Sequence, residues 1–294
     1  HDGHIAILSG MACLLKRYPP SKGKVMLFFQ AAEETGDGAL LAVEDLTHRN
    51  IKADYCFALH NLPSFKKAAV LFKDGTFAAA SSGMVIQLEG KTSHAAHPEN
   101  GLNPDLALAS LIIEINKLNK GSVLDKDFSL ITIIHARLGN PAFGTSPGFA
   151  ELMITLRAFS DEKLFDTIET IKKLAIDIGA LHNLKLNFSF KEPFPATVNH
   201  PDAAQIIFES AQRTGLDLIK LKQPFRWSED FGHFSKMAPS AMFGLGCGVD
   251  FPQLHNENYD FPDEIIQSGL LAFYNIANRL NGLSVELSKL PSVI

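Results

Sequence analysis

With 294 residues, 46% of them hydrophobic, the chain has material for one large domain or two medium ones around a sizeable core. A net charge of −5 with no dominant basic patch argues against a nucleic-acid partner, and no apolar run reaches the ~18 residues of a membrane span. The three scattered cysteines, Cys13, Cys56 and Cys247, make no disulfide framework and read as small buried hydrophobes in a reducing, cytoplasmic compartment.

Taken in chain order, residues 4–17 carry an amphipathic pattern with Ile5, Leu8, Met11, Ala12 and Leu15 on one face, and Tyr18-Pro19-Pro20 ends the predicted helix. Residues 24–30 (KVMLFFQ) form a nearly continuous apolar run, the pattern of a parallel strand covered on both faces. A helix over 38–48 and a second buried strand over 54–60 continue a βαβ rhythm, so a mainly parallel sheet with flanking helices is expected. Near residue 83 the rhythm changes. A half-exposed strand at 83–90 precedes a helix at 103–119, with Asn103 as cap and Pro104 in its first turn. Strands at 128–137 and 150–159, a helix at 161–180 capped by Ser160 and a strand at 183–190 complete a βαββαβ, ferredoxin-like order. The first rhythm then returns, with helices at 201–214, 228–236 and 262–280 and a strand at 240–245. The simplest account is one α/β domain, made of 1–82 and 193–294, interrupted by an inserted satellite of 83–192. The chain opens at His1, without methionine and already inside a dense motif, so an upstream segment is expected.

Four motifs can carry chemistry. In His1-Asp2-Gly3-His4, two imidazoles suit Zn, Mn, Ni or Co, and the Asp2 carboxylate can orient a ligating ring; a tag-like chain end has the same composition. Glu33 and Glu34 directly follow the 24–30 run, where α/β sheets place their sites. One of the pair can hold a metal while the other acts as base on bound water; two solvated glutamates at a helix start are the plainer reading. His60 ends a predicted strand, as a structural histidine also would. His255 follows the stretch Gly244–Gly248, where Gly244 and Gly246 can open backbone N–H groups to an anion or simply make a turn. If these strands share one sheet edge, His1, Glu34, His60 and His255 converge with Glu33 beside them, a His/Glu set of catalytic type.

The motifs HDGH at 1–4, QAAEE at 30–34, LHNLP at 59–63, GKTSHAAHPENGLNP at 90–104, AELMITLR at 150–157, SEDFGHF at 228–234 and the segment 245–255 together resemble the M20 metallopeptidase family, in particular its aminoacylase-like amidohydrolases of the hippurate and auxin-conjugate type. The resemblance implies cleavage of an amide in an N-acyl amino acid or related conjugate; a dipeptidase of the same fold, or an inactive relative, is the alternative. It implies two divalent ions, Zn²⁺ or Mn²⁺ with Ni²⁺ and Co²⁺ as alternatives, held by His1, Glu34, His60 and His255. It further implies Glu33 as general base, and a homodimer through the satellite in which His94 serves the partner's site. Residues 83–90 or 128–137 are then the strands expected to extend a sheet across the two-fold axis. Arg157 is a candidate for a substrate carboxylate. The chain departs from the family pattern in lacking a cysteine two residues before His1 and roughly 90 residues of upstream sequence, on the scale of a usual domain. It also reads Gly144-Thr145-Ser146-Pro147 where many relatives have an asparagine.

Overall fold

A computed structural model describes residues 1–119 and 127–283. Helices α1 (Asp2–Arg17) and α2 (Gly38–His48) come first, then strands β1 (Cys56–Pro63), β2 (Val70–Phe72) and β3 (Gly75–Ala78). Next are β4 (Ala80–Glu89), β5 (Ser93–His94), α3 (Asp105–Lys117), β6 (Ser129–Leu138), β7 (Thr145–Ser146), β8 (Phe149–Ala158), α4 (Asp161–Leu181) and β9 (Lys185–Phe194). The chain continues through β10 (Thr197–Asn199), α5 (Pro201–Thr214), β11 (Leu218–Lys220), a 3₁₀ turn at Asp230–Lys236, β12 (Ser240–Gly248) and α6 (Ile266–Asn281). No helix among the described residues is long and apolar enough to cross a membrane.

One four-stranded sheet has the order β1-β12-β2-β11. Its outer pairings, β1 with β12 and β2 with β11, are parallel; the central β12–β2 pairing is antiparallel, so the sheet is mixed. Both faces are covered, which is why its strands read as continuous apolar runs. Val70, Phe72, Ala241 and Phe243 pack under α5 and α6, while Leu71 and Met242 pack against α2 and the 3₁₀ turn through Ala39, Leu46, Phe231 and Phe234.

The second four-stranded sheet, β6-β8-β4-β9, is antiparallel throughout. Alternate residues of β4 and β8 (Met84, Ile86, Leu88; Leu152, Ile154, Leu156) bury with Leu111 and Ile115 of α3 and Ile171 of α4. The period of two follows because helices cover one face only. The Ser160 hydroxyl caps α4, accepting from Lys163 N–H at 3.1 Å.

Several expectations need correction. Residues 24–30 form no strand. Val25 and Leu27 pack beside α1 and α6, but the segment has no ladder partner among the described residues, and without one an apolar run stays extended coil. Met26, Phe28 and Phe29 are left 49%, 39% and 52% exposed. Of the predicted face α1 buries Met11, joined by Gly3, Ile7 and Leu14, and leaves Ile5 and Ala12 exposed, because Phe261 and α6 meet its Gly3–Ile7–Met11 side. Cys13 is exposed too, unlike buried Cys247. Residues 83–90 cannot extend a sheet, since β4 lies between β8 and β9; β6 is the free edge on that side.

Leu111 is fully buried between α3 and the second sheet. Truncation to Ala should cost about 2–5 kcal/mol and lower the urea midpoint without changing the slope of the transition. A midpoint within error of the parent chain would contradict the packing described.

Candidate functional site

Four segments meet at one place: the start of α1, the loop 31–38, the end of β1 and residues 226–230. His1, at the N-cap of α1, sets Nε2 at 3.6 Å from Glu33 Oε2 and 3.9 Å from Glu34 Oε1. Each of these three residues offers a ligand atom, and all three atoms lie within 4.8 Å of one another. His4 is one helical turn on, so it shares His1's side of α1. Its ring centroid is 5.7 Å from that of His1 and 6.3 Å from that of His60.

His60 is fixed at both nitrogens. Nδ1 lies 2.8 Å from the Asn61 carbonyl and Nε2 lies 3.0 Å from Glu229 Oε1, while the Trp227 ring lies 4.7 Å away, tilted by 33°. Burial opposes charge on this ring, yet the Glu229 carboxylate, the Asn61 carbonyl and Glu34 together outweigh it and raise the His60 pKa. His4 goes the other way. Burial, with His60 next in size, lowers it to about 4, and its buried Nε2 has no partner among the described residues. Burial and the adjoining Glu229 push Glu33 up to about 9, with smaller contributions from Asp230 and Glu34, so at neutral pH Glu33 holds a proton beside Glu229.

The loop carrying Glu33 and Glu34 is bound to itself. Gly36 N–H donates to Glu33 O at 2.9 Å, Gly38 N–H to Ala32 O at 3.2 Å, and the Thr35 hydroxyl to Ala32 O at 3.1 Å. Ala32 adopts φ 59°, a left-handed conformation that costs a non-glycine residue roughly 1–3 kcal/mol.

The other sequence candidates stand apart from the His1–Glu33–Glu34 group. His255 is exposed at φ 63° on the loop after β12, a loop anchored where Asn61 Nδ2 donates to the Tyr259 hydroxyl. Asp2 Oδ1 accepts from Gly3 N–H at 2.9 Å. His94 is exposed on β5, its Nδ1 accepting from Ala96 N–H at 3.0 Å. Arg157 Nη1 donates to Arg226 O at 3.2 Å and to Ser228 Oγ at 3.0 Å, tying β8 to the segment that bears Trp227 and Glu229. Gly244 and Gly246 require a correction. They lie inside β12, not in a loop, and the N–H groups of Gly246 and Gly248 are committed to the Ala69 and Phe65 carbonyls at 2.9 Å. They are glycines because a Cβ would overlap Leu62 at one position and the Lys66 carbonyl at the other.

Two residues of this cluster, His4 and Glu229, lie outside the ligand set His1, Glu34, His60 and His255 expected from the sequence. The spacing of His1 and His4 on a helix was a legible signal for His4. Glu229 had only its place in the SEDFGHF motif. The donor set suits a divalent cation: imidazole nitrogens and carboxylate oxygens converge, one buried imidazole nitrogen lacks a partner, and the carboxylates exceed the positive charge beside them.

The sequence of residues 1–279 matches the model of peptidase family M20/M25/M40, and the chain belongs to that family. It is 28% identical over 281 residues to the N-acetyl-L-cysteine deacetylase of Bacillus subtilis, covering 95% of this chain and 66% of that protein. It is 29% identical over 271 residues to the hippurate hydrolase of Campylobacter jejuni, covering 90% and 69%. The chain thus spans about two thirds of the length of these curated relatives. The crystal structure of a dinuclear metal binding M20 peptidase from Bacillus subtilis superposes with a TM-score of 0.79 at 22% identity, covering 96% of this chain and 72% of that one, and so shares its fold.

Because the folded chain holds a proton on Glu33 up to about pH 9 and the unfolded chain releases it near 4.5, stability of chelator-treated protein should fall as pH rises between those values. Glu33→Gln carries no such linkage. Its melting temperature relative to the parent should be lowest near pH 4 and climb toward pH 9; a pH-independent difference would contradict the shared proton.

Proposed function

We propose that this chain is the metal-bearing part of an amidohydrolase that cleaves the amide of small N-acyl amino acids or related conjugates. The supporting observation is the meeting of His1, Glu33 and Glu34, with His4, His60 and Glu229 alongside, in a chain of this family. Relatives named for hydrolysis of N-acetyl-L-cysteine and hippurate favour such substrates. His1, Glu34, His60 and His255 would hold two divalent ions, Zn²⁺ or Mn²⁺ before Ni²⁺ or Co²⁺, with His60 offering Nε2 in place of its pairing with Glu229.

Bound divalent ions supply a Lewis acid and an acidified water. Glu33 is the residue that moves the proton. Cationic charge at His1 and Glu34 would draw it from its protonated form to carboxylate, able to take a proton at Oε and return it to the leaving nitrogen. The Asn61 carbonyl, 2.8 Å from Nδ1, holds His60 in one ring orientation. Arg157, beside the Trp227–Glu229 segment, is assigned to the substrate carboxylate through donors other than those given to Arg226 and Ser228.

The proposal divides the chain into a catalytic domain, 1–82 and 193–294, and a ferredoxin-like satellite, 83–192, through which two copies pair, with the enzyme working in the cytoplasm. Support for pairing comes from the free edge β6, which exposes Ile134 and Leu138, and from exposed Leu106 and Ile113 on α3. His94 then acts on the partner's site.

A panel of N-acyl amino acids and dipeptides with added Mn²⁺ or Zn²⁺ tests the substrate class, and hydrolysis of dipeptides alone would replace it with a peptidase. Glu33→Gln should lower kcat on the order of 10²–10⁴-fold while retaining metal; near-normal kcat would remove Glu33 from its role. Mixing His94→Ala with Glu33→Gln chains should restore activity, since some dimers then hold one complete site. No recovery despite subunit exchange would place His94's action elsewhere.

A further inference from the structure

Asp230 is 2% exposed and sits at the start of the 3₁₀ turn, next to Glu229. A single atom, Oδ2, accepts from Gln30 Nε2 at 2.7 Å and from Ala39 N–H at 2.8 Å. Gln30 and Ala39 flank the loop that carries Glu33 and Glu34, so one carboxylate closes the loop at both ends. Ala39 N–H is also one of the unpaired N–H groups at the start of α2, whose own N-cap residue, Asp37, makes no side-chain cap. Asp230 therefore caps α2 from 191 residues away, and a carboxylate at a helix start is favoured by the dipole as well.

Its platform is rigid. Phe231 and Phe234 pack with Ala39, Ala42 and Leu46 of α2, and Gly232 lies so close to the Pro195 and Ala196 carbonyls that a side chain would collide. Glu229 reaches the opposite way, to His60. Two consecutive residues on one turn thus hold the two sides of the site, and the loop between Gln30 and Ala39 contains the strained Ala32. A strained conformation persists only where its surroundings over-determine it.

We propose that Asp230 is a positioning residue for the Glu33–Glu34 loop: it touches no reactant, and sets where both glutamates stand by holding the loop's ends to the turn that bears Glu229. This rests on the reading of Glu33 as base. Asp230→Ala removes the acceptor; Asp230→Asn keeps one oxygen able to accept both N–H groups. Glu44→Gly weakens α2 on its exposed face, off the Phe231–Phe234 packing, and serves as a stability control.

Kinetics with an N-acyl amino acid and Mn²⁺ should show Asp230→Ala losing at least tenfold in kcat, with KM within about threefold of the parent, and Asp230→Asn recovering most of the loss. Glu44→Gly, at a comparable drop in melting temperature, should keep parental kcat. Hydrogen exchange gives a readout independent of turnover: amides of residues 33–39 should exchange at least tenfold faster in Asp230→Ala and near the parental rate in Asp230→Asn. Unchanged exchange across 33–39 in Asp230→Ala, or a kcat loss no greater than that of Glu44→Gly, would overturn the proposal. If the parent turns over no amide, the assignment of Glu33 fails, and the exchange comparison still decides whether Asp230 sets the loop.

Discussion

Four carboxylates, Glu33, Glu34, Glu229 and Asp230, are packed around two partly buried imidazoles, and the site depends on how that crowding is relieved. In the protein alone it is relieved three ways. Glu229 pairs with His60 at 3.0 Å, Asp230 takes two N–H donors, and Glu33 keeps a proton. None of these neutralises the His1–Glu34 side, where an exposed imidazole and an exposed carboxylate stand 3.9 Å apart. A divalent cation is the natural fourth means, since His1, Glu33 and Glu34 offer it ligand atoms within 4.8 Å of one another and it can replace the retained proton.

The fold serves this arrangement by splitting it between rigid pieces. β1 ends at the site with its backbone paired to β12, register fixed from Cys56 opposite Ser240 onward. α1 arrives against α6, with Gly3 pressed on Phe261. The 3₁₀ turn is locked to α2 by phenylalanines. The weakest member is the Glu33–Glu34 loop, which follows an extended segment without ladder partners among the described residues and is fixed by its own hydrogen bonds and by Asp230.

Long elements were legible in the sequence because their periods were long enough to count. Helices over 38–48 and 201–214 and the one-face alternation of β8 repeat over enough residues to state their environment. β2, β10 and β11, three residues each, show no period and were invisible. The 24–30 run was misread because hydrophobicity reports burial on one side, here through Val25 and Leu27, and says nothing of a hydrogen-bonding neighbour. The site was half legible for a related reason. Chemically dense neighbours such as His1–His4 and Glu33–Glu34 announce themselves, whereas Glu229 and Asp230 matter through contacts nearly 170 to 200 residues away in the chain. Gly244 and Gly246 looked like an open loop because steric necessity inside a sheet and turn chemistry select the same residue.

The central claim is that this cluster is a divalent-cation site. Calorimetric titration of Mn²⁺ and Zn²⁺ into chelator-stripped protein tests it most directly, with Glu34→Ala as comparison. The account predicts saturable binding to the parent chain at one or two sites, weakened at least tenfold by Glu34→Ala. Heats no larger than dilution, or identical isotherms for the two proteins, would contradict it.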